Sequence, residues 1–445
     1  MINSRYRQKF SFGSSGIREI VTAEFIEAAY HLGLSLSSGY HRLIVGGDTR
    51  VSTPAMKYAL FSGLLVGGGE VQDAGVIPTP TLAFATHHFQ AGVMITASHN
   101  PPEYNGIKLW NADGSAFNDT QRELLESQIA APYKYPDISR NQISDVHAYP
   151  SAKNDHLTRI LSDFPDSLNL KVVVDAGGGA ASLVTPNLLR QMGCQVISLN
   201  CHPTGFFPRP SEPLPENLAT LIQAVKATGA DLGLAHDGDG DRLVAVDDMG
   251  RVVPGDKLLI LIANSLNARK VITTVDVSMI VEEAGFQVLR TRVGDAFISQ
   301  EIKKGGDFGG EAAGAWIFPK VSLCPDGIYA AAVVAHIVSK ERLSVLIDAI
   351  PSYPILRASF PTNKQIMALI EEEFMKLQPL SVTRLDGLRL DMGDGWLLIR
   401  PSGTEPKLRL TVEAREQKRA EELFNSGKAV IQACQKRSNS IVEGL

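Results

Sequence analysis

Short runs of β-branched and aliphatic residues recur along the chain, each closing on glycine or polar residues and followed by a stretch of helical periodicity. Leu43-Ile-Val-Gly-Gly-Asp48, Gly92-Val-Met-Ile-Thr96, Lys171-Val-Val-Val-Asp175 and Lys270-Val-Ile-Thr-Thr274 are examples. Apolar runs of this length, bounded by turn residues, predict strands buried on both faces in parallel sheets crossed by helices. The pattern restarts after residue 150 and again after 252, which predicts successive α/β units. Pro132 to Pro150 is polar and holds three prolines, so it reads as a linker. Asp247-Asp-Met-Gly250, between two apolar runs, reads as a hairpin turn. The texture changes near the end. Thr383 to Leu390, Gly395 to Arg400 and Lys407 to Glu413 are strand-like with tight turns, and a charged helix starts near Glu416. These predict a small antiparallel sheet with flanking helices. The expected domains are 1–150, 151–252, 253–352 and 353–445, the first three α/β with mixed sheets and the last α+β.

At 445 residues the chain has room for three or four domains of about 100–200 residues each. Its 43 basic and 48 acidic residues leave a formal charge of −5, so no basic excess favours nucleic acid. The four cysteines, Cys194, Cys201, Cys324 and Cys434, form no CxxC pair and read as reduced, buried thiols. The N-terminal MINSRYRQKFSFG lacks the apolar stretch of a signal peptide, and no apolar run reaches the ~18 residues of a membrane span. A cytoplasmic protein with no membrane partner is expected.

Three loops carry chemistry. Thr96-Ala-Ser-His-Asn-Pro-Pro102 follows a predicted strand, at the carboxyl end where open α/β sheets place their ligands. Ser98 there suits acceptance and return of a phosphoryl group, and His99 and Asn100 can hydrogen-bond a neighbouring anion. The bland alternative is a turn whose polar side chains satisfy local backbone groups. Asp237-Gly-Asp-Gly-Asp-Arg242 places three carboxylates at alternate positions, which repel one another unless a cation lies between them. A hard divalent ion such as Mg²⁺ suits that donor set. An EF-hand is excluded because Arg242 stands where its glycine belongs, and an aspartyl-phosphate phosphatase motif is disfavoured by Asp241. Arg400-Pro-Ser-Gly-Thr-Glu-Pro-Lys-Leu-Arg409 combines Arg400, Ser402, Gly403, Thr404 and Arg409 in a loop suited to an anion. A weaker candidate is Glu311 in Gly309-Gly-Glu-Ala-Ala-Gly-Ala315, able to accept hydrogen bonds from sugar hydroxyls. Asp175-Ala-Gly-Gly-Gly lacks the third glycine of a dinucleotide fingerprint and is set aside.

Taken in order, with Gly13-Ser-Ser-Gly-Ile-Arg18 at the start, these motifs resemble the α-D-phosphohexomutases, the superfamily of phosphoglucosamine mutase, phosphomannomutase and phosphoglucomutase. Glu103 to Lys108 and Ala315 to Pro319 look most like archaeal members. The resemblance implies four domains around a central cleft, the last of them TATA-binding-protein-like. It implies a phosphoserine at Ser98 and Mg²⁺ held by Ser98, Asp237, Asp239 and Asp241. Lys108, Arg18 and His99 would act beside Ser98, Glu311 and Arg292 would contact the sugar, and Arg400, Ser402, Gly403, Thr404 and Arg409 would hold the non-reacting phosphate. A hexose phosphate substrate, a sugar bisphosphate primer and a monomer or homodimer follow. Phosphoglucosamine mutase is the leading expectation, with mannose or glucose phosphate and a non-catalytic phosphosugar-binding protein as alternatives. The chain departs from the family at Ala313 and Ala315, where a hydroxyl and often an imidazole are usual, at Arg292 for a lysine, and at Glu19 for a glycine.

Overall fold

The computed structural model describes residues 12–13, 16–130, 144–362, 366–401 and 407–443. They form two compact units, Met1–Ile272 with Gly294–Ala349, and Thr273–Val293 with Ile350–Leu445.

In the first unit, strands β1 (Ile17–Ile20), β2 (Arg42–Gly47), β3 (Glu70–Val76), β4 (Ala91–Ile95), β5 (Tyr104–Asn111) and β6 (Val146–Ala148) form one sheet in the order β1-β5-β4-β2-β3-β6. β2 runs parallel to β3 and β4, whereas β5 is antiparallel to both β4 and β1. All five residues of β4 are buried, as its unbroken apolar run requires of a strand covered on both faces. The expected linker is corrected here in part: 146–148 are β6, parallel to β3 with Val71 opposite Val146. An edge strand this short needs little apolar character, which is why its polar sequence conceals it. Residues 132–143 of that segment lie outside the described residues.

β7 (Lys171–Asp175), β8 (Gln195–Leu199), β9 (Leu232–His236) and β10 (Leu243–Val246) form a second sheet, ordered β10-β9-β7-β8, with only β10 antiparallel. The Asp247–Gly250 turn follows β10 and is closed by Asp247 N–H donating to Arg251 O at 2.9 Å. β11 (Lys270–Thr274), β12 (Gln287–Thr291), β13 (Phe308–Gly310) and β14 (Trp316–Ile317) make a third sheet, ordered β12-β11-β13-β14.

The second unit contains a wholly antiparallel sheet of β15 (Ile355–Pro361), β16 (Ser381–Thr383), β17 (Leu388–Asp391), β18 (Gly395–Pro401) and β19 (Lys407–Ala414), ordered β15-β19-β18-β17-β16. The helix Gln417–Glu443 follows. Its core joins Leu388, Leu390, Leu397, Ile399, Leu408 and Leu410 to helix residues Leu423 and Ile431. The strand-like run Thr383–Leu390 is two strands, because Gly387 turns between them at φ +81°.

Helices Ala23–Ser37 and Thr53–Val66 cover one face of the first sheet and meet backbone to backbone at glycines. A Cβ on Gly63 would lie 1.9 Å from Tyr30 O, and one on Gly33 would lie 2.4 Å from Leu60 O. Alanine gains about 1 kcal/mol of helix propensity over glycine, yet here the helices must part to admit it. Gly63→Ala is therefore expected to destabilise the protein by about 1–3 kcal/mol, read as a lowered denaturation midpoint. A midpoint at or above the parent's would contradict this packing.

Candidate active site

β4 ends at Ile95, and the chain turns through Thr96–Glu103 before returning as β5. Within that turn Ser98 takes φ +50°, the left-handed region that a side chain occupies only with strain of roughly 1–2 kcal/mol. Local bonds hold it there. Ser98 N–H donates to Thr96 Oγ1 at 2.8 Å, and that hydroxyl donates to Asp48 Oδ2 at 2.6 Å.

The Asp237–Asp241 turn joins β9 to β10 and lies against the serine loop. Glycine is required for the approach, since a Cβ on Gly238 would stand 2.4 Å from Ser98 O. Ser98 Oγ consequently donates to Asp237 Oδ2 at 2.7 Å, across 139 residues of chain. Carboxylate oxygens of Asp237, Asp239 and Asp241 all lie within 4.8 Å of one another, and all three side chains are buried. Lys108, projecting from β5, donates to Asp239 Oδ2 and Asp241 Oδ2 at 2.7 Å each. Thr79 Oγ1 donates to Asp239 Oδ2 at 2.6 Å, while Asp239 Oδ1 is buried with no hydrogen-bond partner among the described residues. One oxygen of Asp239 is thus doubly held and the other is buried without such a bond. An orphaned buried oxygen beside two neighbouring carboxylates fits a hard divalent cation.

The electrostatics follow from burial and crowding. Burial, then the charges of Asp241 and Asp239, push the Asp237 carboxyl well above the usual range. Burial and the charge of Asp239 also raise Asp241. Burial acts to raise Asp239, but Lys108, by charge and hydrogen bond, together with the Thr79 hydroxyl and the charge of Arg18 outweighs it and holds that carboxyl below the usual value. The same pairing raises Lys108 against its own burial. His99, with Nδ1 3.3 Å from Ser98 Oγ, is lowered to about 2 by burial and by Arg242, Arg18 and Lys108. Its imidazole is neutral at physiological pH.

Ser98, His99, Lys108, Asp237, Asp239 and Asp241 therefore come together as one cluster, and Arg18 on β1 reaches its edge, donating to Asn100 Oδ1 at 3.2 Å. Glu311 lies in the turn between β13 and β14 and accepts from Gly294 N–H at 2.6 Å. That turn is fastened to the start of β10 by Leu243 N–H donating to Gly314 O at 2.9 Å and by a bridge between Arg242 and Ala315. In the second unit Arg292 is exposed just after β12. Arg400 and Arg409 face each other across β18 and β19, with Arg400 also paired to Asp386 at 2.9 Å. Ser402, Gly403 and Thr404 lie outside the described residues.

Three buried residues that the linear motifs do not mark out join the site: Asp48 and Arg50, just after β2, and Thr79. The available signal was an acid closing the strand run Leu43–Asp48, with an arginine two positions on.

Fold and site define a phosphohexomutase. The chain belongs to the phosphoglucomutase/phosphomannomutase family: its residues 9–136, 154–250 and 254–353 match the family's α/β/α domains I, II and III, and 362–426 match its C-terminal domain. It is 46% identical over 433 residues to a probable phosphoglucosamine mutase of Methanocella arvoryzae, covering 95% of this chain and 98% of that protein. A probable phosphoglucosamine mutase of Pyrococcus furiosus is 41% identical, covering 94% and 97%. The crystal structure of a phosphoglucomutase/phosphomannomutase family protein from Burkholderia thailandensis superimposes with a TM-score of 0.83 at 26% identity, covering 96% and 98%. Among the described residues no helix is long and apolar enough to cross a membrane.

Thr79→Val would free Asp239 from its hydroxyl partner while keeping the side-chain volume. Groups that orient a metal ligand are typically worth about 10–100-fold in affinity, and a loss of that size is expected for Mg²⁺ by calorimetric titration. Parent-like affinity would show that the hydroxyl does not orient the carboxylate.

Proposed function

We propose that this protein is a Mg²⁺-dependent phosphoglucosamine mutase that interconverts glucosamine 6-phosphate and glucosamine 1-phosphate through a phosphoserine at Ser98 and a hexose 1,6-bisphosphate. One observation carries the reading: a buried serine hydroxyl 2.7 Å from one member of a three-aspartate cluster whose other two members share a lysine. Phosphoryl transfer needs positioning and charge neutralisation more than covalent ingenuity, and the cluster supplies both. The names of the archaeal relatives support the choice of sugar.

The steps balance without an external co-reactant. The substrate hydroxyl oxygen forms a bond to phosphorus as the bond to Ser98 Oγ breaks, and the hydroxyl proton passes by way of a base to the departing Ser98 Oγ; the second transfer returns a proton to the sugar oxygen. The resulting bisphosphate turns over; Ser98 Oγ then takes the other phosphoryl group, leaving the isomeric monophosphate and a restored phosphoserine. A sugar bisphosphate would phosphorylate Ser98 for the first cycle. Asp237, Asp239 and Asp241, with a phosphoserine oxygen, would hold Mg²⁺, which when bound supplies charge neutralisation at the transferring group. Lys108 keeps two of those carboxylates oriented, and Arg18 adds positive charge beside Asn100. Glu311 is proposed to receive sugar hydroxyls, with Arg292 as a further sugar contact. Arg400 and Arg409 stand in direct cross-strand register, and Asp386 pairs with Arg400 alone, so the two arginines bring more positive charge to this edge than the one carboxylate offsets. With Ser402, Gly403 and Thr404 they are proposed to take the phosphate that is not reacting. A cytoplasmic location accords with such a metabolic role.

Ser98→Ala is expected to abolish phosphoserine, read by intact-protein mass spectrometry, and to lower turnover by at least ~10⁴-fold, the scale of losing a nucleophile. An alanine variant as active as the parent would overturn the mechanism. With glucosamine 6-phosphate, mannose 6-phosphate and glucose 6-phosphate compared under a bisphosphate primer, the first should show the highest kcat/KM. Equal rates on all three would remove the specific sugar and leave the class, whereas binding without turnover would favour a phosphosugar-binding protein. Arg409→Ala is expected to raise KM roughly 10–100-fold, the worth of one charge-assisted contact. An unchanged KM would dissociate this arginine from phosphate binding.

A further inference from the structure

Arg50 is buried, with 2% of its surface exposed, and its hydrogen bonds are unusually concentrated. Nε donates to Asp48 Oδ2 at 3.1 Å. Nη1 donates to Pro101 O at 2.6 Å and Tyr104 O at 2.8 Å. Nη2 donates to Ser98 O at 2.9 Å and Asn100 O at 2.7 Å. Three of the four carbonyls belong to the single turn that carries Ser98, and the fourth, Tyr104 O, is on the first residue of β5 where that turn ends. The ring of Phe207 lies 5.2 Å from the guanidinium carbon.

We propose that Arg50 is the positioning residue for phosphoryl transfer at Ser98, a forked staple that keeps the nucleophile in its left-handed conformation. The argument rests on the phosphoserine reading above. Ser98 at φ +50° would relax by rotating the peptide planes on either side of it. The plane that follows carries Ser98 O, which Arg50 grips, and that oxygen also packs against Gly238 of the aspartate turn. Relaxation therefore breaks the arginine contact and withdraws Ser98 from Asp237 in one movement. Peptide planarity adds a second consequence: with Ser98 O directed at Arg50, the His99 N–H points to the opposite side. A lysine could keep the charge and the pairing with Asp48. Its single ammonium lacks the planar fork that spans four carbonyls.

A purely structural buried ion pair would spread its bonds over the sheet or its helices, and its loss would weaken the whole unit. The contacts of Arg50 instead predict a local loss. Arg50→Lys and Arg50→Ala are compared with the parent after incubation with glucose 1,6-bisphosphate, following phosphoserine by intact mass, then steady-state kinetics, thermal melting and amide exchange. For Arg50→Lys we expect a cooperative melt, faster exchange confined to residues 96–106, phosphoserine formation and kcat slowed roughly 10²-fold as for a misplaced nucleophile, and KM within about threefold of the parent. Guanidinium at non-denaturing concentration should partly restore Arg50→Ala, and sodium chloride should not. Arg50→Lys with the parent's phosphorylation rate would overturn the proposal while leaving the role of Ser98 intact. Loss of the cooperative melt in both variants would assign Arg50 to the scaffold alone and overturn it equally. A parent that acquires no phosphoserine would remove the underlying reading, and this proposal with it.

Discussion

Everything at this site depends on keeping acidic groups together away from water. Three buried carboxylates within 4.8 Å of one another repel strongly in a medium of low dielectric, and folding has to offset that repulsion. Lys108 answers for two of them and the Ser98 hydroxyl hydrogen-bonds the third, while Asp48 is paired with Arg50 one layer further out. The compensation is incomplete by one oxygen, Asp239 Oδ1. A site with every lone pair satisfied would be inert towards a metal; one with a single buried oxygen unmet is primed for a cation. The strain stored in the acids and the affinity for a divalent ion are two views of one imbalance.

Glycine makes the imbalance possible. The Asp-Gly-Asp-Gly-Asp spacing was legible as three carboxylates in need of a cation, and the structure shows what its glycines are for. Gly238 lets the aspartate turn rest on the carbonyl of Ser98, and Gly179 lets another loop of the same sheet pack beneath Gly238, where a Cβ would meet Gly238 O at 2.5 Å. Backbone rather than side chain forms these contacts, so the loops are located to within the tolerance of a van der Waals surface. Phosphoryl transfer, which gains mainly from placement, benefits from such stiffness.

The parts visible in the linear chain were those where chemistry and local order coincide. The strands Leu43–Gly47, Ala91–Ile95 and Lys171–Asp175 announced themselves because burial on both faces demands unbroken apolar runs. Ser98 and the aspartates stood out because their motifs are contiguous. β6 did not, since an edge strand of three residues carries almost no pattern. Thr79 and Arg50 did not either, because each works through another residue far away in sequence: Thr79 through Asp239, 160 positions on, and Arg50 through carbonyls some 50 positions on. A carbonyl acceptor leaves no trace in the identity of the residue that owns it. Layers that support a site are therefore systematically harder to read than the layer that performs the chemistry.

The two alanines of the Glu311 turn show where the same fold leaves freedom. Ala315 is buried, bridged to Arg242, and the residue before it is fastened to Leu243. An imidazole at that position would have to displace this packing, so the small side chain belongs to how the turn seats on β10. Ala313 is exposed and its methyl satisfies no packing demand of that kind. A hydroxyl at 313 would thus change what the turn offers a ligand without changing how it is held, whereas enlarging 315 would move Glu311 along with the backbone. Exposure and anchoring of the turn fall on alternate positions, Ala313 and Ala315. The Ser98–aspartate cluster keeps its own geometry through Lys108 and Thr79, so a change at Ala313 leaves those bonds in place.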